Sequence, residues 1–205
     1  MLEDYDLIRY KVHKPIIKQG EKMKKILMIM TIIMSTALMG QIRLSADMAG
    51  TGANDVLGSP DSDTKLGITL GYDHVLGSSG SLDYGAGLSY QLDRGSETTV
   101  GGTTYDGGKF GFTTISGFLH YNYSESIYTG SRLEYAIMFS GDDDFNPADA
   151  DLKGGIGWDA HFGYNINDQM GVELSYNSND GSMEAGSTTV KVRYTRVRIS
   201  FLYSL

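Results

Sequence analysis

Charged side chains of this sequence recur two residues apart within segments that otherwise alternate between polar and apolar residues. Arg132 and Glu134 form one such pair. Because successive side chains of a β-strand point to opposite faces, residues two apart share a face. A charge on an enclosed face is costly to desolvate unless it is paired, and Arg can hold two carboxylate oxygens at once. We therefore expect interior ion pairs, with Glu173 and Arg196 as one of them. The predicted interior cluster comprises Arg132, Glu134, Asp159, His161, Glu173, Arg196 and Arg198.

A second group of possible ligands lies in residues 142–151, where five carboxylates occur within ten residues. Clusters of oxygen ligands bind Ca²⁺, and the candidate ligands here are Asp142, Asp144, Asp149 and Asp151. The ordered spacing of an EF-hand loop, with its central Gly and terminal Glu, is missing. The pattern favours a solvated acidic surface loop over a calcium site.

The composition indicates an all-β protein that is rich in turns. The 205 residues include 27 Gly, 14 Tyr, 3 Pro and no Cys, and the absence of Cys argues against a disulfide framework, a zinc site and a thiol nucleophile. Of the 17 Lys/Arg and 25 Asp/Glu, seven and four lie in residues 1–40, which leaves 10 and 21 in residues 41–205 and a net charge of −11 there. A chain this acidic is a poor binder of nucleic acid, and we expect no nucleic-acid partner.

The amino-terminal part of the chain contains a predicted export signal. Lys24 and Lys25 precede an apolar run over residues 26–39, which leads into Gly40. A basic head, about 14 mostly apolar residues and then small residues are typical of a signal peptide, whereas a spanning helix needs about 20 apolar residues. We predict a signal peptide over residues 23–40. Cleavage could follow Ala37 or Gly40, and we favour Gly40.

Residues 1–22 are unusual before such a signal. The segment KQGEK at residues 18–22 can be encoded by a nucleotide stretch that resembles a ribosome-binding site, directly before the codon for Met23. We therefore expect translation to start at Met23 and interpret residues 1–22 as a translated leader.

The remaining residues form segments of about ten residues with a period of two, broken by turn-rich stretches. In one segment, Ile156 and Trp158 share one face while Asp159 and His161 share the other. In the segment 110–123 the assignment stays open, because aromatic residues occur on both faces. Eight strands are predicted, over residues 42–50, 65–75, 82–92, 110–123, 127–139, 153–164, 170–177 and 189–205.

The connections between these segments alternate in length. Short connections follow the second, fourth and sixth segments, and long ones, over residues 51–64, 93–109, 140–152 and 178–188, follow the others. Long loops at one end and tight turns at the other are typical of outer-membrane barrels of bacteria. The polar face favours the same interpretation over a secreted soluble β-barrel, because it combines Gly, Ser and isolated charges, which suit the cramped interior of an eight-stranded barrel.

The last strand ends on an apolar stripe that includes Phe201, Tyr203 and Leu205. These three residues resemble the carboxy-terminal signal by which outer-membrane barrels are recognised for assembly, although that signal usually ends in Phe. Together with the signal peptide, the eight strands and the loop asymmetry, this stripe makes residues 41–205 similar to small barrels of the OmpA membrane-domain and OmpX type.

The resemblance implies an eight-stranded antiparallel up-and-down transmembrane β-barrel in the bacterial outer membrane. Its expected partners are outer-membrane lipid, lipopolysaccharide and the barrel-assembly machinery, and we expect a monomer. Divalent cations could link the acidic loop to phosphates of lipopolysaccharide.

Catalysis is not expected. Barrel-shaped lipid A deacylases use a His-x-Ser pair with a carboxylate, but here His120 is followed by Tyr121-Asn122 and His161 by Phe162-Gly163. We expect a structural or surface-interaction role through four extracellular loops, without a cofactor. The alternatives are a small diffusion channel, and then a lipid-modifying barrel enzyme.

Overall fold

The structure, a computed structural model, describes residues 40–55, 61–146 and 149–205. The predicted leader and signal peptide therefore lie outside the described residues, apart from Gly40, which begins the first strand. No helix among the described residues is long and apolar enough to cross a membrane. The strands are β1 (Gly40–Asn54), β2 (Ser62–Thr64), β3 (Gly67–Ser79), β4 (Leu82–Gln91), β5 (Arg94–Val100), β6 (Thr103–Asn122), β7 (Ile127–Gly141), β8 (Asp151–Asn165), β9 (Met170–Ala185) and β10 (Thr188–Ser204).

Eight of these strands close into a barrel. Each long strand pairs antiparallel with the next long strand along the chain, in the order β1, β3, β4, β6, β7, β8, β9 and β10. The last strand then pairs with the first, with Tyr203 opposite Ile42 and Phe201 opposite Leu44. This closure leaves neither β1 nor β10 as an open edge along the paired residues. The prediction of an all-β, eight-stranded up-and-down barrel is confirmed.

The alternation along the strands separates an inner from an outer surface. In β8, Ile156 and Trp158 are exposed on the outside, whereas Asp159 and His161 are buried inside, as predicted. The sequence did not decide which face of β6 points inwards. In the structure, its phenylalanine side chains lie inside and its other large apolar side chains lie outside. The inward residues are Phe110, Phe112 and Phe118, and the outward residues are Ile115, Leu119 and Tyr121.

The two ends of the barrel differ, and we refer to them as the turn end and the loop end. Short connections at residues 80–81, 123–126 and 166–169 define the turn end, which also contains Gly40 and Leu205. The opposite end, which contains β2, β5 and the turn at residues 186–187, is the loop end. Tyr84, Tyr121, Tyr123, Tyr164 and Tyr203 are exposed around the turn end, where interfacial aromatic girdles of membrane barrels lie.

The loop end contains more regular structure than the sequence predicted. The predicted loop 93–109 forms a hairpin of β5 with the beginning of β6, turned by Gly101 and Gly102 with φ of 58° and 83°. Positive φ at both central residues is the requirement of a type I′ turn, a common two-residue hairpin connection. The predicted loop 178–188 consists instead of the paired ends of β9 and β10, joined at Gly186. Both loop assignments were wrong, because ladder pairing continues through their polar residues.

The outer surface is unusually apolar for a protein in water. Leu133 and Ile156 are 65% and 63% exposed. A contiguous exposed apolar surface marks contact with a membrane or another protein, and a band of this kind surrounds membrane barrels. Such an exterior is suited to acyl chains. Other large apolar side chains exposed on the long strands include Leu44, Ile68, Leu70, Ile115, Leu119, Tyr135, Ile137, Trp158, Phe162, Leu174, Tyr176, Val197 and Ile199.

Trp158 provides a test of this surface because it is the only Trp of the chain. Its side chain is 48% exposed on the outer face of β8. We expect its fluorescence to be quenched strongly in vesicles of lipids that are brominated on the acyl chains, compared with unbrominated vesicles of the same chain length. Equal fluorescence in the two kinds of vesicle would contradict the assignment of this face to lipid.

Candidate functional site

The barrel interior contains equal numbers of buried positive and negative side chains. Among the described residues, five arginines and five carboxylates are each no more than 3% exposed. Buried charges are stable only when they are paired and hydrogen-bonded. With neutral histidine, these ten groups have no net charge. They are Arg43, Arg94, Arg132, Arg196, Arg198, Asp47, Asp73, Glu134, Asp159 and Glu173.

The half of the interior nearer the turn end is organised around Arg132. The Nη1 and Nη2 atoms of Arg132 donate to Oε1 and Oε2 of Glu173, both at 2.9 Å, in a bidentate pair. Arg132 also donates to Oδ1 of Asp159 at 3.0 Å and to Oδ2 of Asp73 at 3.3 Å. Arg43 Nε approaches the same Asp73 oxygen at 3.2 Å. We call these five residues the Arg132 cluster; it contains three carboxylates and two arginines.

The half nearer the loop end is organised around Asp47. Its Oδ1 accepts from Arg198 Nε at 2.9 Å and lies 3.3 Å from Arg196 Nε, while its Oδ2 lies 2.7 Å from Arg94 Nη2. The side-chain amide of Asn179 connects the surplus positive charge of these arginines to Glu134. Glu134 Oε2 accepts from Asn179 Nδ2 at 2.8 Å, and Asn179 Oδ1 accepts from Arg196 Nη2 at 2.7 Å. We call this group the Asp47 cluster.

All seven residues of the predicted interior cluster lie inside the barrel. Six of them are divided between the two clusters, and His161 lies beside the Arg132 cluster, with its Nδ1 2.6 Å from Oδ1 of Asp159. The expected pair of Glu173 with Arg196 was wrong. Glu173 pairs with Arg132, and Arg196 contacts Asp47 and Asn179. The pairing differs because Glu173 lies opposite Ser200, not Arg196, in the ladder of β9 and β10.

Four charged members of the clusters were missed in the sequence. Arg43 and Asp47 share a face with Ser45 on β1, and Asp73 shares a face with Gly71 on β3, so the rule that identified the other charges also applies to them. Arg94 had no such signal, because it lies in the segment that was predicted to be a loop.

An aromatic cap lies above the Asp47 cluster at the loop end. The Phe112 and Phe139 rings stack at 4.6 Å, and those of Phe110 and Tyr194 stack at 4.2 Å. The ladder of β6 and β7 shifts register between Thr113 and the residue after it. Beyond this shift the inner and outer faces of β7 are exchanged, so that Phe139 points into the interior. The guanidinium of Arg94 lies 5.7 Å from the centre of the Phe110 ring and links the cap to the charges below it.

The candidate calcium loop is built around backbone contacts. Oδ1 of Asp142 accepts from the backbone N–H groups of Lys109 at 3.0 Å and Phe145 at 2.9 Å. Slight desolvation opposes ionisation of Asp142, but these hydrogen bonds outweigh it and lower the pKa of this carboxyl from its ordinary value. Among the described residues, the geometry groups His120, His161 and Glu173 as possible metal ligands, and not Asp142, Asp144, Asp149 and Asp151.

Of the residues of the predicted assembly signal, Phe201 and Tyr203 lie on the outer face of β10, and Leu205 follows the end of this strand. Phe201, Tyr203 and Leu205 are 44%, 41% and 53% exposed. Their recognition by assembly machinery stays a prediction.

The chain matches no protein-family model and no curated protein sequence. Its structure is similar to that of the outer membrane protein OprG from Pseudomonas aeruginosa, with a TM-score of 0.48 and 14% identity over 81% of this chain and 96% of OprG. For Neisserial surface protein A the TM-score is 0.46 and the identity 12%, over 81% and 97%. For Ail, the attachment invasion locus protein of Yersinia pestis, they are 0.41 and 12%, over 80% and 99%. At these scores and identities, the likeness says nothing about the activity of this chain.

Substitution of Arg132 tests whether the buried pairs stabilise the fold. Arg132→Met leaves three buried carboxylates without their shared donor, so the free energy of unfolding should fall by about 3–5 kcal/mol. The matched control is Arg193→Met, since Arg193 pairs with Asp180 at 2.7 Å but has a side chain that is 64% exposed. An exposed pair contributes about 0–1 kcal/mol. Urea unfolding in vesicles measures both losses, and equal losses would contradict this account of Arg132.

Proposed function

We propose that this chain is a non-enzymatic β-barrel of the bacterial outer membrane that presents a surface at its loop end. The observation that carries the proposal is that side chains fill the lumen while the outer surface of the barrel is apolar. Arg132, Arg198, Phe110, Phe112 and Leu202 are among the largest side chains that are fully buried inside. An interior filled in this way suits an anchor for external loops better than a route for solutes.

Three layers of side chains obstruct the lumen between its two ends. The aromatic cap lies towards the loop end, the Asp47 cluster below it and the Arg132 cluster below that. A cavity of 550 Å³ is open at the turn end only as far as residues such as Asp73, Phe118, His120 and Tyr128. Opening a continuous path would separate several buried ion pairs, which is costly. This arrangement supports a barrel that does not conduct.

The interior charges also support the absence of catalysis. The carboxylates and guanidinium groups of both clusters are directed at one another within the buried interior. The alternative of a lipid-modifying barrel enzyme would instead require a nucleophile and a base within hydrogen-bond reach of each other. We therefore assign the charged residues a role in stabilising the barrel.

The loop end supplies the proposed interaction surface. Its hairpins are continuous with the barrel wall, and β2 links β1 to β5 through pairs such as Thr51 with Asp63 and Asp63 with Glu97. Binding residues on short connections that extend a rigid scaffold are held in position. We further propose that the barrel works as a monomer, contacts lipopolysaccharide around its rim and is inserted by the barrel-assembly machinery. The loop end presents a surface of mixed charge, on which Lys65 lies 3.6 Å from Glu97 and 3.9 Å from Asp106.

Electrical recording in planar bilayers tests whether the lumen conducts. We expect the refolded protein to give no steady open channel, because the three layers of side chains would have to separate. An open porin reconstituted in the same way serves as the positive control. Steady conductance of the unmodified protein would favour the diffusion channel and contradict the proposed anchor.

Labelling of single cysteines tests the location and orientation, since the natural chain has no Cys. Ser187→Cys and Ser81→Cys are matched, because each follows a Gly of positive φ, Gly186 at 60° and Gly80 at 61°, in a tight turn. A membrane-impermeant maleimide should label Ser187→Cys on intact cells and Ser81→Cys only after the outer membrane is permeabilised. The reverse pattern would show that the loop end faces the periplasm, and labelling of neither after permeabilisation would contradict the location.

A further inference from the structure

Two histidines and a glutamate lie close together inside the barrel, and one of them, His120, also lines the turn-end cavity. One ligand atom from each of His120, His161 and Glu173 lies within 4.8 Å of the others. Nε2 of His161 is 3.8 Å from Oε2 of Glu173. The rings of His120 and His161 are nearly perpendicular, at 85°, with centres 4.9 Å apart, so they do not stack on each other. Two imidazole nitrogens and a carboxylate oxygen form a ligand set that is typical of zinc and similar ions.

A hydrogen bond at Nδ1 of His161 leaves Nε2 of the same ring available as a metal ligand. Nδ1 of His161 lies 2.6 Å from Oδ1 of Asp159. Because an ionised carboxylate only accepts hydrogen bonds, this contact requires the proton to be on Nδ1, although Arg132 Nη1 also lies 3.0 Å from that atom. In the neutral ring, Nε2 then has its lone pair available. A His that donates to a carboxylate through its second nitrogen is the usual arrangement of metal-ligating histidines.

Both imidazoles contain a buried nitrogen without a hydrogen-bond partner. Among the described residues, no group hydrogen-bonds to Nε2 of His120 or to Nε2 of His161, and His161 is only 4% exposed. A buried polar atom without a partner costs stability. Gly130 makes room for the two rings, because a Cβ at this position would overlap Nε2 of His161 and Cδ2 of His120. The two rings beside Gly130 therefore each contain an unsatisfied nitrogen.

The surrounding charge favours a cation. The Arg132 cluster contains one more carboxylate than arginine, in contrast to the Asp47 cluster, which contains more arginines. Arg132 occupies both oxygens of Glu173, so a cation at this point would share that carboxylate with a guanidinium. The hydroxyl of Tyr128 also donates to Oε2 of Glu173 at 3.4 Å.

The cavity provides a route for an ion to the histidines. His120 and Tyr128 line it, together with the acidic residues Asp73, Asp83, Glu125 and Asp168. A cleft lined by one sign of charge raises the local concentration of the opposite ion. An ion from the solvent at the turn end would therefore reach His120 first.

We propose that His120, His161 and Glu173 bind a divalent transition-metal ion of the zinc type, with Asp159 as the positioning residue for His161. The site lies inside the barrel wall at the turn end and is separate from the acidic loop at the loop end. Bound metal would replace the missing hydrogen-bond partners of both nitrogens and join β6, β8 and β9.

Titration with Co²⁺ followed by displacement with Zn²⁺ tests this site on the refolded full barrel in detergent micelles. Co²⁺ in a site with nitrogen ligands and low coordination number gives visible absorption bands, and we expect these bands to saturate at about one equivalent and to disappear when Zn²⁺ is added. His120→Gln and His161→Gln should each raise the dissociation constant at least tenfold, and Asp159→Asn should raise it about ten- to hundredfold. His74→Gln is the matched control, since His74 lies on β3 outside the group, and it should bind like the unmodified barrel.

Each variant is first tested for heat-modifiable migration on SDS gels, so that loss of the ion is not confused with loss of the fold. If a His variant does not fold, anomalous diffraction at the zinc edge from crystals of the unmodified barrel soaked in ZnCl₂ decides the matter, with a peak expected between the three side chains. Binding that is unchanged in folded His120→Gln and His161→Gln, a peak only at the acidic loop, or no stoichiometric binding to the unmodified barrel would overturn the proposal.

Discussion

A barrel of eight strands encloses a space that side chains fill, so a charge inside it has little bulk water to solvate it. The five buried arginines among the described residues are balanced by five buried carboxylates. Arg suits these positions better than Lys, because its planar group donates in several directions, as Arg132 does to Glu173, Asp159 and Asp73. The register of the strands has to place the paired groups at the same depth in the barrel. The stability of the interior therefore depends on the register of the fold.

The same balance of buried charges explains why the inner and outer surfaces of the barrel wall differ. Polar and small residues that satisfy one another lie inside, so the outer face is free to be apolar, as at Trp158 and Leu174. Towards the loop end, aromatic stacking replaces ion pairs, and the hairpin of β9 and β10 continues beyond it without a break in pairing. At the turn end, the cavity leaves His120 accessible above a cluster with surplus negative charge. Stability, obstruction of the lumen and the proposed metal site therefore depend on one set of side chains.

The sequence predicted the number of barrel strands and most of their faces, because a period of two is set locally by the backbone. It identified Asp159 and His161 as interior residues for the same reason. It did not predict partners, because the depth of a residue depends on register and strand tilt, as the wrong pairing of Glu173 shows. It also missed Arg94 and the inward turn of Phe139, since a strand within a polar loop and a register shift leave no clear local signal.

If the interior charges act as one balanced set, removal of a carboxylate should be offset in part by removal of one of its arginines. Asp47→Asn leaves Arg94, Arg196 and Arg198 without their shared carboxylate. The most direct measurement is urea unfolding in vesicles of Asp47→Asn, Arg198→Met and the double variant. The double variant should lose less stability than the two single losses added together, by about 1–3 kcal/mol. Strictly additive losses would show that these charges are solvated independently, and the account of a balanced, filled lumen would be wrong.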